Sequence, residues 1–307
     1  MKTFDPYNLS EHINLNITNL AQKTIDSDRL IFGATSQGAL SFGTIVNTII
    51  SSYDNDFPLD ETLIKKKDYQ SYRKLHLNKT AIDTLISYDE DDYPLMGKYT
   101  VPQYIKCLLE SYARISFLER EKLILKKSTI EPLENAIDRN KLIKFRYGNK
   151  IIEIVPYKIV ASKEGTFQYL IGKVNGAWES YRLSRIIYTN AKGKAKPFDE
   201  DERSKTDETL AEYGPTFSCE PITTVKVKFT PKGLTRYEYS VIHRPIHTDI
   251  EIDPKTNSPI HVFKCSEKQA LFFFFSYADD AEILEPLSLR EKFAQMYQLG
   301  AKSYQKQ

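Results

Sequence analysis

Residues 143–188 read IKFRYGNK, IIEIVPYKIVASKEG, TFQYLIGKVNG and AWESYRLSRIIY, and their alternation decides the fold of this region. Lys144 and Arg146 are two apart, so a strand places them on one face, with Ile143, Phe145 and Tyr147 on the other. Gly148-Asn149, Glu164-Gly165 and Asn175-Gly176 mark tight turns and predict four or five antiparallel strands. A short helix over 133–139 precedes them and a basic tail, KGKAK, follows at 192–196. Over 131–198 there are 13 Lys+Arg against 6 Asp+Glu, a net +7 in a chain whose total is +2. Charge concentrated in one small β-rich module suggests a surface for a polyanion; the alternative is a solvated, lysine-rich exterior.

Tyr147, Pro156-Tyr157, Gln168-Tyr169-Leu170 and Arg182-Leu183-Ser184-Arg185-Ile186 follow in an order that resembles the WYL domain. That family is a small Sm/SH3-like β-barrel of bacterial regulators and CRISPR-associated proteins. Gln168 stands where the family has its tryptophan, and Ser184 where an aspartate is usual. Arg182 and Arg185 are three apart, so a regular strand would point them to opposite sides. The resemblance implies that both serve one pocket, which requires the strand to bend or end near Ser184. Guanidinium forks bind phosphate, and tyrosines stack on unpaired bases. The candidate ligand-binding set is therefore Lys144, Arg146, Tyr157, Tyr169, Tyr181, Arg182 and Arg185. The structural alternative has Arg185 closing an internal salt bridge and the tyrosines filling the barrel.

At the N-terminus, HINLNIT (12–18) alternates Ile13, Leu15 and Ile17 against Asn14, Asn16 and Thr18, and helical stretches follow at 19–34 and 41–53. Ser41 is a plausible N-cap, and Ile45, Ile49 and Ile50 share a face. One strand and two helices cannot bury their apolar side alone, so a homodimer is expected. The arrangement resembles the ribbon-helix-helix fold, which implies that Asn14, Asn16 and Thr18 read bases. Against DNA, residues 1–60 hold three Lys+Arg and seven Asp+Glu, a net −4, where duplex affinity needs phosphate neutralisation. Dimerisation is thus the first reading of this unit and DNA the second.

Residues 61–130 form a helical connector, with one long helix from Pro102–Gln103 through PQYIKCLLESYARISFLEREKLIL. Lysines 65–67 and 126–127 fit a solvated surface. Beyond the barrel at 131–198, residues 199–218, opening DEDERSKTDE, read as an acidic linker. An α+β unit over 219–307 follows, with Thr230-Pro231 starting one helix and Ser266–Gln269 capping another. It resembles the C-terminal extension of WYL proteins, whose implied roles are dimer contact and closure over the barrel's ligand. The whole is a multidomain α+β chain whose order of parts resembles accessory proteins of type VI-D CRISPR systems.

Composition narrows the function further. No run reaches the ~18 apolar residues of a membrane span. The opening MKTFDPYNLSEH lacks a signal-peptide core, and Cys107, Cys219 and Cys265 are too scattered for a disulfide framework, so a cytoplasmic location is expected. The DEDD at 89–92 is four adjacent carboxylates, where a two-metal nuclease needs carboxylates converging from separate elements. His243 and His247 have zinc-pair spacing, with His261 and Cys265 in reserve, but Pro245 spoils the helix between the pair. There is no phosphate-loop or nucleophile-elbow motif. The expectation is a non-enzymatic regulator without metal or cofactor. Its partner would be single-stranded nucleic acid, RNA favoured, with a CRISPR effector nuclease as protein partner. The rival readings are an operator-binding transcriptional regulator sensing an effector, and a module whose basic face meets an acidic protein.

Overall fold

The computed structural model describes residues 12–32, 40–52, 59–60, 62–63, 71–87 and 99–305, so the acidic run at 89–92 and lysines 65–67 lie outside it. The chain divides into two compact units, Met1–Ala161 with Gly165–Pro197, and Ser162–Glu164 with Phe198–Gln307.

The first unit opens with β1 (His12–Ile17), which buries Ile13, Leu15 and Ile17 and exposes His12, Asn14 and Asn16. Its hydrogen-bonding partner is β2 (Ser71–His76) of the same chain, antiparallel, with Asn14 opposite Lys74 and Asn16 opposite Tyr72. The pairing expected from a second copy is thus supplied internally, which removes that argument for a dimer. Helices α1 (Asn19–Ile31), α2 (Phe42–Ser52) and α3 (Lys79–Ser87) cover the buried side. Ser41 caps α2, its Oγ accepting from the Thr44 N–H at 3.0 Å.

The connector is two helices rather than one long helix. α4 (Val101–Tyr112) starts where Gln103 Oε1 accepts from the Thr100 N–H at 2.9 Å. A second capping box then opens α5 (Phe117–Leu125), with the Glu119 N–H on Ser116 Oγ at 3.2 Å and the Ser116 N–H on Glu119 Oε2 at 2.8 Å. Ser116 and Glu119 satisfy the free N–H groups of a new helix start, so the apolar periodicity continues across a break. Asp28 of α1 ties the bundle, accepting from the Tyr112 hydroxyl and Arg120 Nε, each at 2.7 Å. A π-helical turn, Lys126–Ile130, leads into α6 (Glu131–Asp138).

Five antiparallel strands follow: β3 (Lys141–Tyr147), β4 (Lys150–Ala161), β5 (Gln168–Val174), β6 (Ala177–Arg182) and β7 (Ile186–Lys194). Their order is β6-β5-β4-β3-β7, so a three-residue 3₁₀ turn, Leu183–Arg185, joins the two edge strands. The link from Arg182 to Ile186 reaches at most about 14 Å. The edges of a flat five-stranded sheet stand about 19 Å apart, so this sheet must curl. Gly172 lies at the bend, where a Cβ would stand 2.3 Å from the Val155 carbonyl oxygen. The inner face (Ile143, Phe145, Ile154, Leu170, Leu183) joins one core with Leu133 of α6 and residues of α1, α2 and α4.

In the second unit the acidic stretch is helical, not a linker: α7 spans Glu200–Tyr213. Asp199 caps it by accepting from the Glu202 N–H at 2.8 Å. Glu200, Asp201 and Glu202 then occupy the first turn, where the helix dipole favours anions. After it come β8 (Ile222–Phe229), α8 (Pro231–Tyr239), β9 (Ile246–Ile252), β10 (Pro259–Ser266), α9 (Glu267–Phe274), β11 (Ala281–Glu285) and α10 (Leu287–Gln305). The sheet order β11-β8-β10-β9 is the antiparallel β-α-β-β-α-β arrangement. Thr230 and Ser266 cap α8 and α9 as their sequence spacing predicts.

Candidate functional site

The site is assembled where β6 ends. Strand geometry stops at Arg182 and the chain turns through the 3₁₀ segment, so Arg182 and Arg185 are freed from strand alternation. Arg182 is half-buried, and its Nε donates to Ser184 Oγ at 2.8 Å. Its guanidinium lies 3.2 Å from the centroid of the Phe167 ring. Tyr169 stands directly opposite Arg182 on β5. Arg185 is exposed, and neither arginine has an ion-pair partner among the described residues, so the salt bridge that the structural alternative gave Arg185 is not seen there.

Beneath this pair sits Glu121 of α5, fully buried, with Oε2 accepting from the Gln168 N–H at 2.7 Å and Oε1 without a hydrogen-bond partner. Burial pushes its carboxyl pKa up to about 7, while the Gln168 N–H, Arg182 and Ser184 draw it back. Burial likewise pulls the Arg182 guanidinium down, opposed first by Glu121. The amide Nε2 of Gln168, also buried, has no hydrogen-bond partner. Thus the cation of the site is packed and oriented, while the carboxylate acting on it is held near neutrality.

The other candidates separate into groups. Tyr181 points inward, edge-on to Phe145 at 5.2 Å and Tyr147 at 5.0 Å, and fills the core. Strand parity decides this, since Tyr181 alternates with Arg182, and it removes Tyr181 as a stacking plate. Tyr157 meets Trp178 edge-on at 5.5 Å, and Lys173 Nζ lies 5.1 Å from the Trp178 ring centroid. Trp178 and Arg182 share a face of β6, as Lys173 and Tyr169 do of β5. Two cation–aromatic groups therefore lie on one face about 13 Å apart, four strand residues. Lys144 and Arg146 sit on β3, opposite Glu153 and Ile151.

Asn14 and Asn16 are exposed, whereas Thr18 is buried and cannot face bases. Its N–H and hydroxyl donate to the two carboxylate oxygens of Glu110 at 2.7 and 2.8 Å, and its Oγ1 accepts from the Ala21 N–H at the start of α1. His247 and His261 meet at 3.3 Å, but His243 turns to Glu164 at 3.1 Å, and no group of three metal-binding side chains occurs among the described residues. Phe167, Glu121 and Trp178 escaped the sequence reading. Phe167 adjoins the quoted Gln168-Tyr169-Leu170 triplet and Trp178 is the chain's one tryptophan, whereas Glu121 is brought in from a separate helix and carries no local signal.

Residues 128–189 match the WYL domain model, so a WYL domain occupies this part of the chain. A solved structure described as a CRISPR Cas-related protein aligns over 97% of this chain and 95% of its own, with a TM-score of 0.70 and 21% identity. The two share a fold along nearly their whole length. Proteasome accessory factor B/C (PafBC) of Arthrobacter aurescens aligns over 56% of this chain and 27% of its own at 18% identity, with a TM-score of 0.29. No curated protein matches the chain. Among the described residues, no helix is long and apolar enough to cross a membrane.

Proposed function

We propose that this WYL-domain chain is a non-enzymatic regulator that binds single-stranded nucleic acid, RNA by preference, on the Arg182 face of a small Sm/SH3-like barrel. The observation that carries the reading is Arg182 itself. Its guanidinium is oriented by Ser184 and Phe167 and meets no carboxylate at ion-pair distance among the described residues. Such a group offers its remaining donors to phosphate at little ordering cost. Phe167 and Tyr169 flank it as ring surfaces for unstacked bases, which suits single strands. The full-length likeness to a CRISPR Cas-related protein supports a role as accessory to a CRISPR RNA-guided RNase.

Fluorescence anisotropy at one fixed salt concentration tests this, with single-stranded RNA, single-stranded DNA and duplex DNA as ligands. Single-strand binding should weaken by at least 30-fold in Arg182→Ala/Arg185→Ala, as expected from two charged contacts of roughly 1–2 kcal/mol each. Duplex preference unchanged by the substitutions would overturn it. That outcome would favour a second reading, an operator-binding regulator, for which the exposed ribbon face of Asn14, Asn16, Tyr72 and Lys74 is the supporting observation.

A further inference from the structure

Within the first unit, a cavity of about 620 Å³ lies among α2, the π-helical turn and β7. Helix α2 sends Ile45, Val46, Ile49 and Ile50 into the core and turns Thr44, Thr48, Ser51 and Ser52 to the cavity. Ser51 and Ser52 are 8% and 5% exposed, and among the described residues their hydroxyls make no hydrogen bond. Neither oxygen is a buried, unpartnered atom: both are reached from the cavity and give it a polar wall. Lys127, on the π-helical turn, stands at the same wall with Nζ donating to the Ser51 carbonyl oxygen. No carboxylate occurs among the described lining residues, while Phe32, Leu125, Ile186 and Ile187 supply an apolar side.

That lining selects by elimination. An apolar ligand would strand the serine hydroxyls, and bare phosphate would leave the apolar side uncovered. A cationic ligand would meet Lys127 and no counter-charge. An anion carrying a flat ring satisfies every wall, with hydroxyls and Lys127 on the anion. The volume falls in the ordinary range of small-molecule sites. We propose that this cavity is a nucleoside monophosphate site, separate from the Arg182 face. Ser184 borders the cavity and also accepts from Arg182 Nε, so an occupant sits one side chain away from that face.

Isothermal titration calorimetry tests it with AMP, CMP, GMP and UMP, with inorganic phosphate and adenosine as controls. The proteins are wild type, Lys127→Met, Thr48→Trp and Arg182→Ala, each first shown folded by circular dichroism. At least one monophosphate should bind at one site per chain, at least 10-fold tighter than phosphate or adenosine. Binding should fall at least 10-fold in both Lys127→Met and Thr48→Trp and stay within twofold in Arg182→Ala. Binding by none of the four would overturn the site and leave the RNA reading standing. Loss in Arg182→Ala with retention in Thr48→Trp would also overturn it, by placing the nucleotide on the RNA face.

Discussion

The five-stranded sheet of the first unit and the four-stranded sheet of the second, here the first and second sheets, hold their packed cations differently. On the second sheet, Lys226 faces Glu251 at 2.8 Å and Glu285 at 3.5 Å, and Lys228 faces Asp253 at 3.7 Å. Residues 219–307 hold 12 Lys+Arg against 11 Asp+Glu, a net +1, against +7 for 131–198. On the first sheet, Arg182 is held by a hydroxyl and a ring, beside a carboxyl pushed toward neutrality. Neutralised cations hold a fold's surface together. A packed cation with no carboxylate at ion-pair distance among the described residues is open to an anion from outside, and this contrast supports the binding proposed for the first sheet.

Gly172→Ala should have the largest effect on the first sheet. A Cβ there meets backbone at 2.3 Å and has no room to shift, so the first unit should lose about 3 kcal/mol or more, read by urea denaturation. The curl of the first sheet, on which the site depends, should fail with it.

Glu121→Gln comes next. The Glu121 pKa is raised from an ordinary carboxyl value to about 7, so the folded state holds a proton that the unfolded chain releases. Wild-type stability should therefore fall as pH rises through the window from about 4.5 to 7, by roughly 2–3 kcal/mol. The glutamine variant should lack that decline and melt higher than wild type at pH 8. Equal pH slopes in thermal melts would contradict a buried, nearly neutral Glu121.

A smaller effect separates the two sheets directly. Phe167→Ala should weaken single-stranded RNA binding about 10-fold, in line with roughly 1–3 kcal/mol per stacked base. Lys228→Ala on the second sheet should stay within twofold. Smallest, Ser116→Ala should cost about 1 kcal/mol of stability through the lost cap and leave RNA binding unchanged.

How far the sequence could be read differs between the same two regions. Turns at Gly148, Gly165 and Asn175-Gly176, and caps at Ser41, Thr230 and Ser266, were legible because each is written in adjacent residues. Strand β2, SYRKLH, was missed because it buries Leu75 and little else, leaving no clean alternation. The break between α4 and α5 hid beneath uninterrupted apolar periodicity, and α7 beneath a charge run that its dipole and cap favour. At the site, the arginines were visible and their surroundings were not. Glu121 arrives from a different helix, and Thr18 is turned inward by Glu110, 92 positions away. Tertiary partners at such separations leave no trace in local spacing.

Under the proposed function the first sheet, not the β1–β2 ribbon or the second unit, meets nucleic acid. Ultraviolet cross-linking of a 4-thiouridine-substituted single-stranded RNA, mapped by peptide mass spectrometry, tests it most directly. The account predicts adducts within residues 167–185, centred on Phe167 and Tyr169 and lost in Arg182→Ala/Arg185→Ala. Adducts confined to residues 12–17 and 71–76, or to 219–307, would contradict it.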